Sequence, residues 1–146
     1  LLPFARQTPV RVRCAHAGWR GTVAQIGRNT VEAMQQSFGS VPQISLRRLV
    51  LLSANAAMRW TTLCAEAEGY EQFFAPRAEK PGKYLLDLWG YNREVLLDAG
   101  LKEENILTAG VCTEHNHEMF CSYRAEQGKT GRMGVCLYRM SDNKNA

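Results

Sequence analysis

Hydrophobic and polar positions alternate along Val10–Ala15, where Val10, Val12 and Cys14 fall between Arg11, Arg13 and Ala15. A period of two predicts a strand with one buried face, and this one would deliver His16 at its C-terminal end. Leu1–Phe4 reads as the tail of an earlier strand, with Arg6–Pro9 as the turn of a hairpin between the two. Ala17–Gly21 follows as a tight glycine loop, and Thr22-Val-Ala-Gln25 matches a Thr-x-x-Gln capping box, which predicts a helix from Val23. Val23, Ile26, Val31, Met34 and Phe38 keep helical spacing along it, and Gly39 is a good stop.

Within Ile44–Ser53 the run Leu49–Leu52 is continuously apolar, as expected for a strand covered on both faces. Ala54–Thr62 reads as loop, Leu63–Phe74 as helix ending before Pro76, and Arg77–Gly82 as a turn. An amphipathic helix is predicted over Leu85–Ala99, with Leu86, Trp89, Val95 and Leu96 inward and Gly100 as its cap. Ile106–Val111 predicts a strand, Glu114–Glu118 a loop, Met119–Tyr123 an extended segment, Gln127–Gly131 a turn and Arg132–Met140 a closing strand. Alternating strands and helices give an α+β (α/β layered) domain, a mixed sheet with flanking helices over residues 1–140, followed by a polar tail at 141–146. The chain opens on Leu in what reads as a strand already under way, so an N-terminal portion is expected to precede it.

Composition narrows the class without naming the chemistry. A hydrophobic share of 45% and a charged share of 22% are those of an ordinary globular domain. The net charge is +4, but the basic residues are scattered, so a nucleic-acid partner is not implied. No apolar stretch approaches a membrane span. The five cysteines, Cys14, Cys64, Cys112, Cys121 and Cys136, are odd in number and form no C-x-x-C pair, which points to a reducing, cytoplasmic setting.

The candidate chemistry begins at His16. Strand, glycine loop and helix start meet there, and Gly18 and Gly21 admit backbone conformations that other residues reach only with strain. Free N–H groups and the forked donors of Arg20 would suit a phosphate or carboxylate, although a histidine in such a turn can equally bond the backbone. Arg124 and Arg132 border later loops and could complete an anion site with Arg20, or form salt bridges. Trp19 could stack on a ligand ring or cover the core. Cys112-x-x-His115-x-His117 holds donors a metal accepts, with both histidines on one side of an extended segment, although an ordinary solvated loop is the plainer reading. Cys14 and His16 share a strand face, so a Cys/His nucleophile pair is conceivable, with Cys14 in the core as the alternative. Cys121 and Cys136 read as core residues.

Five short blocks then occur in order: His-Ala-Gly-Trp-Arg-Gly at His16–Gly21, Asp-Leu-Trp-x-x-Asn at Asp87–Asn92, Cys-Thr at Cys112–Thr113, Phe-x-Ser-Tyr-Arg at Phe120–Arg124 and Thr-Gly-Arg at Thr130–Arg132. From Val10 to Tyr138 the chain resembles the laccase-domain family, long described as multicopper polyphenol oxidases and now regarded as purine nucleoside phosphorylases. The resemblance implies cleavage of adenosine, inosine or methylthioadenosine by phosphate, in a cytoplasmic enzyme that is often a homodimer. It also implies a zinc ion, or sometimes copper, held by two histidines and a cysteine. His16 matches one of those ligands and is the catalytic and metal-binding residue carried over. The other two belong to Val-His-Gly and Ala-Asp-Cys segments that this chain does not contain. Arg20, Gly21, Arg124 and Arg132 are the expected substrate and phosphate residues.

Two departures from the family pattern bear on this. A Gly-Pro-x-Ile-Gly block is replaced by Ser53-Ala54-Asn55-Ala56-Ala57, with Leu63-Cys64-Ala65-Glu66 where an aromatic-Glu-Val segment is usual, and the second arginine after Ser-Tyr-Arg is Ala125. A non-catalytic binding module is therefore an alternative reading, and a Cys/His hydrolase is another, because the fold the resemblance implies is similar to toxin domains that use a Cys/His pair.

Overall fold

The computed structural model describes residues 15–39, 49–51, 56–59 and 67–133, of which 49–51 and 56–59 are described by their backbone. The expected strand at Val10–Cys14, the Leu1–Phe4 hairpin, Cys64, Cys136 and the closing strand beyond Met133 lie outside these residues.

The glycine loop leads into helix α1, Trp19–Val23, and then into α2, Ile26–Phe38. The capping box does not form, because Thr22 lies inside α1 with its side chain fully buried. Gln25 instead breaks the two helices apart in the left-handed conformation, φ 53°, and its side chain caps nothing. Val31 and Met34 face the core as their spacing predicts, and Gly39 ends α2 at φ 62°.

Strand β1, Leu49–Leu51, pairs in parallel with β5, Ile106–Thr108, in the register Leu49 to Ile106 and Leu51 to Thr108. A parallel partner agrees with the unbroken apolar run at β1. Strand β2, Ala56–Arg59, falls where a loop is expected, and it pairs antiparallel with β4, Lys83–Leu86. The other edge of β4 carries β3, Phe74–Pro76, again antiparallel. The predicted helix over Leu63–Phe74 is, in its described part, a 3₁₀ turn at Glu71–Phe73 running into β3. A single turn is what Gly69 before it and Pro76 after it leave room for.

Helix α3 spans Leu88–Asp98 and is shorter than its periodicity predicts, because Leu85 and Leu86 belong to β4. Asp87 sets the boundary: its Oδ1 accepts from the Trp89 N–H at 3.1 Å and the Gly90 N–H at 3.2 Å, satisfying two donors that a helix start leaves open. At the other end Gly100, φ 89°, donates to Leu97 O and Leu101 N donates to Leu96 O, while Leu101 packs on Leu96. This double bond with its apolar clasp is the Schellman geometry that glycine makes accessible.

Among the described residues, two clusters form the core. Val23, Ala67, Tyr70, Phe74, Leu86, Leu88, Tyr91 and Val95 make the first, with Trp19, Phe73 and Tyr84 packed against it. Val31, Leu96, Leu101 and Ile106 make the second. Tyr91 is fully buried, stacked on Tyr70 at 4.6 Å and met edge-on by Phe74 at 6.2 Å. Each fully buried large side chain stabilises the fold by roughly 1.5–3 kcal/mol, so α3 is the element that holds the others. Tyr70 also donates to Asp98 Oδ2 at 2.5 Å, and burial and this carboxylate push its phenol above the ordinary value of 10.0.

Candidate active site

The site is built where α1 meets α3 and the turns that follow β5. Gly18 caps α1 in an extended conformation, φ −67° and ψ 170°, and its carbonyl accepts from Thr22 N at 2.8 Å. The helix therefore starts immediately beyond the histidine loop, four residues earlier than its sequence predicts. His16 is exposed on that loop, and a Cβ on Gly18 would lie 3.1 Å from its Nε2. At position 18 the close neighbour is the end of the exposed His16 ring, and the backbone angle itself suits any residue. Gly18→Ala should keep stability within about 0.5 kcal/mol, because φ suits any residue and the ring can swing into solvent. The His16 ring resonances should nonetheless shift, and an unchanged imidazole signal would show that Gly18 does not hold the ring.

Trp19 is half-buried and leans on the core, with the Arg20 guanidinium 4.8 Å from its ring centroid. Gly21 sits inside α1, where a Cβ would meet the His16 carbonyl at 3.3 Å. Below them a buried relay runs through α1 and α3. Asn92 Nδ2 donates to Thr22 Oγ1 at 2.9 Å and to Leu88 O at 2.7 Å, and the Thr22 hydroxyl donates to Ala17 O at 3.3 Å.

The stretch after β5 is turns rather than an extended strand. Asn116 donates from both its backbone and its side chain to Cys112 O, and Met119 N and Phe120 N return to Asn116 O. This winding replaces the expected extended placement of His115 and His117, both of which are exposed. Among the described residues no three His, Cys, Asp or Glu side chains come together. His16 is therefore a single donor, and the described residues do not by themselves make a metal shell.

Glu126 closes the next loop. Its Oε1 accepts from Ser122 N at 2.8 Å and from Thr130 Oγ1 at 2.7 Å, and Ala125 N donates to Ser122 Oγ at 3.3 Å. The Ser122 backbone donor, then the Thr130 hydroxyl and the charge of His117 hold the Glu126 carboxyl below its ordinary 4.5, against a small opposing effect of burial. A depressed carboxyl stabilises the loop above its unfolded pKa, and the contribution is lost as pH falls through the folded value. Protection of the Ser122 amide from exchange, measured against pH, should therefore be full at neutral pH and fall below 4.5. Glu126→Gln should flatten that dependence, and an unaltered pH profile in the variant would remove Glu126 as its cause.

Trp19, Leu88, Thr113, Glu114, Ser122, Tyr123 and Arg124 line one open cleft of about 190 Å³. Four of the five sequence blocks thus meet at a single place: Trp19 from the first, Leu88 from the second, Thr113 from the third and Ser122-Tyr123-Arg124 from the fourth. Arg124 Nη1 lies 3.7 Å from Glu114 Oε2 at its edge. His16, Arg20, Gly21 and Arg132 are not among the lining residues, and Arg132 is exposed. Sequence reasoning assigned no role to Leu88, Thr113, Glu114, Ser122 or Tyr123, nor to the Thr22 and Asn92 pair. The signal for that pair was an asparagine inside a predicted helix, where asparagine is disfavoured unless its amide has a partner.

Comparisons with known proteins bear on the family and the fold. The chain is 36% identical over 138 residues to the purine nucleoside phosphorylase YlmD of Bacillus subtilis, covering 90% of this chain and 49% of that protein. It is 30% identical over 139 residues to a purine nucleoside phosphorylase of Bacteroides thetaiotaomicron, covering 88% and 50%. Among solved structures, the hypothetical protein YfiH of Bacillus licheniformis superposes with a TM-score of 0.69 at 27% identity, covering 80% of this chain and 45% of that one. YlmD of Geobacillus stearothermophilus superposes at 0.63 with 28% identity and the same coverage. The chain spans about half the length of the curated relatives it matches. Residues 2–139 match the family of multi-copper polyphenol oxidoreductase laccases, and the chain belongs to that family.

Proposed function

We propose that this chain carries a purine nucleoside phosphorylase site and that the cleft between α1, α3 and the Ser122–Arg124 loop is where nucleoside and phosphate meet. The observation that carries the reading is the convergence of separate sequence blocks on that one cleft. The names of its relatives supply the substrate class.

Trp19 and Tyr123 offer aromatic faces to a purine, and Tyr123 is 75% exposed and free to receive one. At about 190 Å³ the cleft is smaller than the roughly 300–1,000 Å³ that encloses a drug-sized ligand, so the nucleoside would lie partly in solvent. Arg124 is the phosphate residue: a dianion offers it a bidentate partner in place of the looser Glu114 contact. Arg20 and Arg132, exposed beyond the cleft, would add positive potential for phosphate capture. A phosphate oxygen attacks C1′ of the ribose as the bond from C1′ to the purine nitrogen breaks. The electron pair leaves with the base, and ribose 1-phosphate forms. Thr113 and Ser122 line the cleft, and their hydroxyls would hydrogen-bond the sugar or phosphate.

His16 is the donor this chain offers to a zinc or copper ion, and further ligands would have to come from outside the described residues. Such an ion would supply Lewis-acid stabilisation of developing charge.

The test is phosphorolysis under saturating phosphate, read as ribose 1-phosphate from adenosine or inosine and as 5-methylthioribose 1-phosphate from methylthioadenosine. Phosphate-dependent product is expected, and its absence from all three nucleosides with metal supplied would overturn the reading.

A further inference from the structure

The Asp-Leu-Trp-x-x-Asn block contributes one residue to the cleft wall, Leu88, yet its asparagine points away from the cleft into the protein. We infer that Asn92, through Thr22, is a positioning residue that sets the spacing between the two sides of the cleft, an inference that rests on the cleft being the reaction site.

The geometry is specific. Asn92 is 5% exposed and Thr22 is fully buried, so water does not compete for their bonds. Both protons of the Asn92 amide are used, one on Thr22 Oγ1 at 2.9 Å and one on Leu88 O at 2.7 Å. Because an amide nitrogen only donates, the Thr22 hydroxyl must accept there and can spend its own proton only elsewhere, on Ala17 O at 3.3 Å. One amide thereby ties the backbone of Leu88, a cleft residue on α3, to α1, which carries Trp19, another residue that lines the cleft. The last bond of the relay ends on Ala17, the residue next to His16. A buried donor or acceptor left without its partner would relax by moving these backbones, and a displacement of about 1 Å at a reacting centre can cost a hundredfold in rate. Thr22 and Asn92 touch no substrate, and their effect reaches the cleft only through Ala17, Trp19 and Leu88.

The test compares Thr22→Val, which keeps shape and removes the hydroxyl, with Thr22→Ser, which keeps the hydroxyl. Spectra of the full chain are recorded without substrate. Thr22→Val should move the His16 ring and Trp19 indole signals by more than a linewidth, and Thr22→Ser should restore them. In an active preparation Thr22→Val should lower kcat/KM about ten- to a hundredfold, chiefly through kcat, with recovery in Thr22→Ser. Signals for His16 and Trp19 that stay in place in Thr22→Val would overturn the inference. If Thr22→Val does not fold, the wild-type chain decides: the two Asn92 amide protons should exchange slowly and as separate signals, and exchange at the rate of a surface asparagine would refute the relay. These readouts need no turnover. An inactive chain whose signals move contradicts the proposed function alone, and an active chain whose signals do not move contradicts the relay alone.

Discussion

Arg124→Ala is expected to lower kcat/KM for phosphate about ten- to a hundredfold. Two magnitudes decide this. A charge-assisted hydrogen bond to a ligand is worth about 1.5–3 kcal/mol, and each 1.4 kcal/mol is tenfold in rate or affinity. The bond that Arg124 makes to Glu114 is long, 3.7 Å, between side chains 39% and 42% exposed, and such surface pairs contribute only about 0–1 kcal/mol. Loss of the Glu114 pair by itself therefore costs far less than loss of the phosphate contact. Arg124→Lys should recover only part of the loss, because lysine restores the charge without the planar fork that matches phosphate. Kinetics against phosphate concentration, run beside urea unfolding, separates the two effects. An unchanged KM for phosphate in Arg124→Ala would remove this residue from the phosphate site.

Gly90→Ala should destabilise the whole chain by about 1–3 kcal/mol, contrary to what helix propensity predicts. Alanine is favoured over glycine inside a helix by about 1 kcal/mol. At position 90, however, a Cβ would lie 2.6 Å from Asp87 Oδ2 and 2.7 Å from the Phe73 ring. Such distances force either the cap or the ring to move. Overpacking costs roughly 1–3 kcal/mol, and disturbing the Asp87 cap about 1 kcal/mol more, so the steric effect wins. The consequence should reach the cleft, because Leu88 stands between Asp87 and Gly90. Denaturant unfolding checks it, and a stability equal to or above wild type would show that the first turn of α3 is less tightly held than its geometry indicates.

The elements legible in the sequence were those whose pattern is set locally. The Val31 and Met34 spacing of α2, its glycine stop and the Gly100 end of α3 depend on residues a few positions apart, and the structure has them where they are expected, whereas Val23 falls in α1 and Phe38 is exposed. Thr22 shows why local reading fails elsewhere. Its capping box is a legitimate signal, but Asn92, seventy positions away, claims the hydroxyl for a buried bond, and the helix starts at Trp19 instead. Leu85 and Leu86 likewise fit a helical face until β2 and β3 claim them as a strand from both sides. Ala56–Arg59 carries little β propensity and becomes a strand because β4 offers it a free edge.

The candidate site divides the same way. The blocks that line the cleft are visible in the sequence as words, and the chemistry of Arg124 and Trp19 marks them as candidates. Their meeting was not visible, since it depends on the turns at 113–119 and on the Glu126 bonds that close the 122–130 loop. The extended reading of Met119–Tyr123 would have carried Ser122 and Tyr123 elsewhere. His16 was legible as the chemical centre of its block, and the structure places it on the loop that leads into the cleft wall, tied to the wall through Ala17 and Thr22.

The most direct measurement of the central claim is an amide and indole shift map of the labelled chain, titrated with inosine and inorganic phosphate together. The account predicts that the largest changes fall on the Trp19 indole and on Thr113, Ser122, Tyr123 and Arg124, and that they weaken in Arg124→Ala. Changes confined to α2, where Ile26, Met34 and Phe38 line a separate shallow groove, or no changes at saturating phosphate, would contradict it.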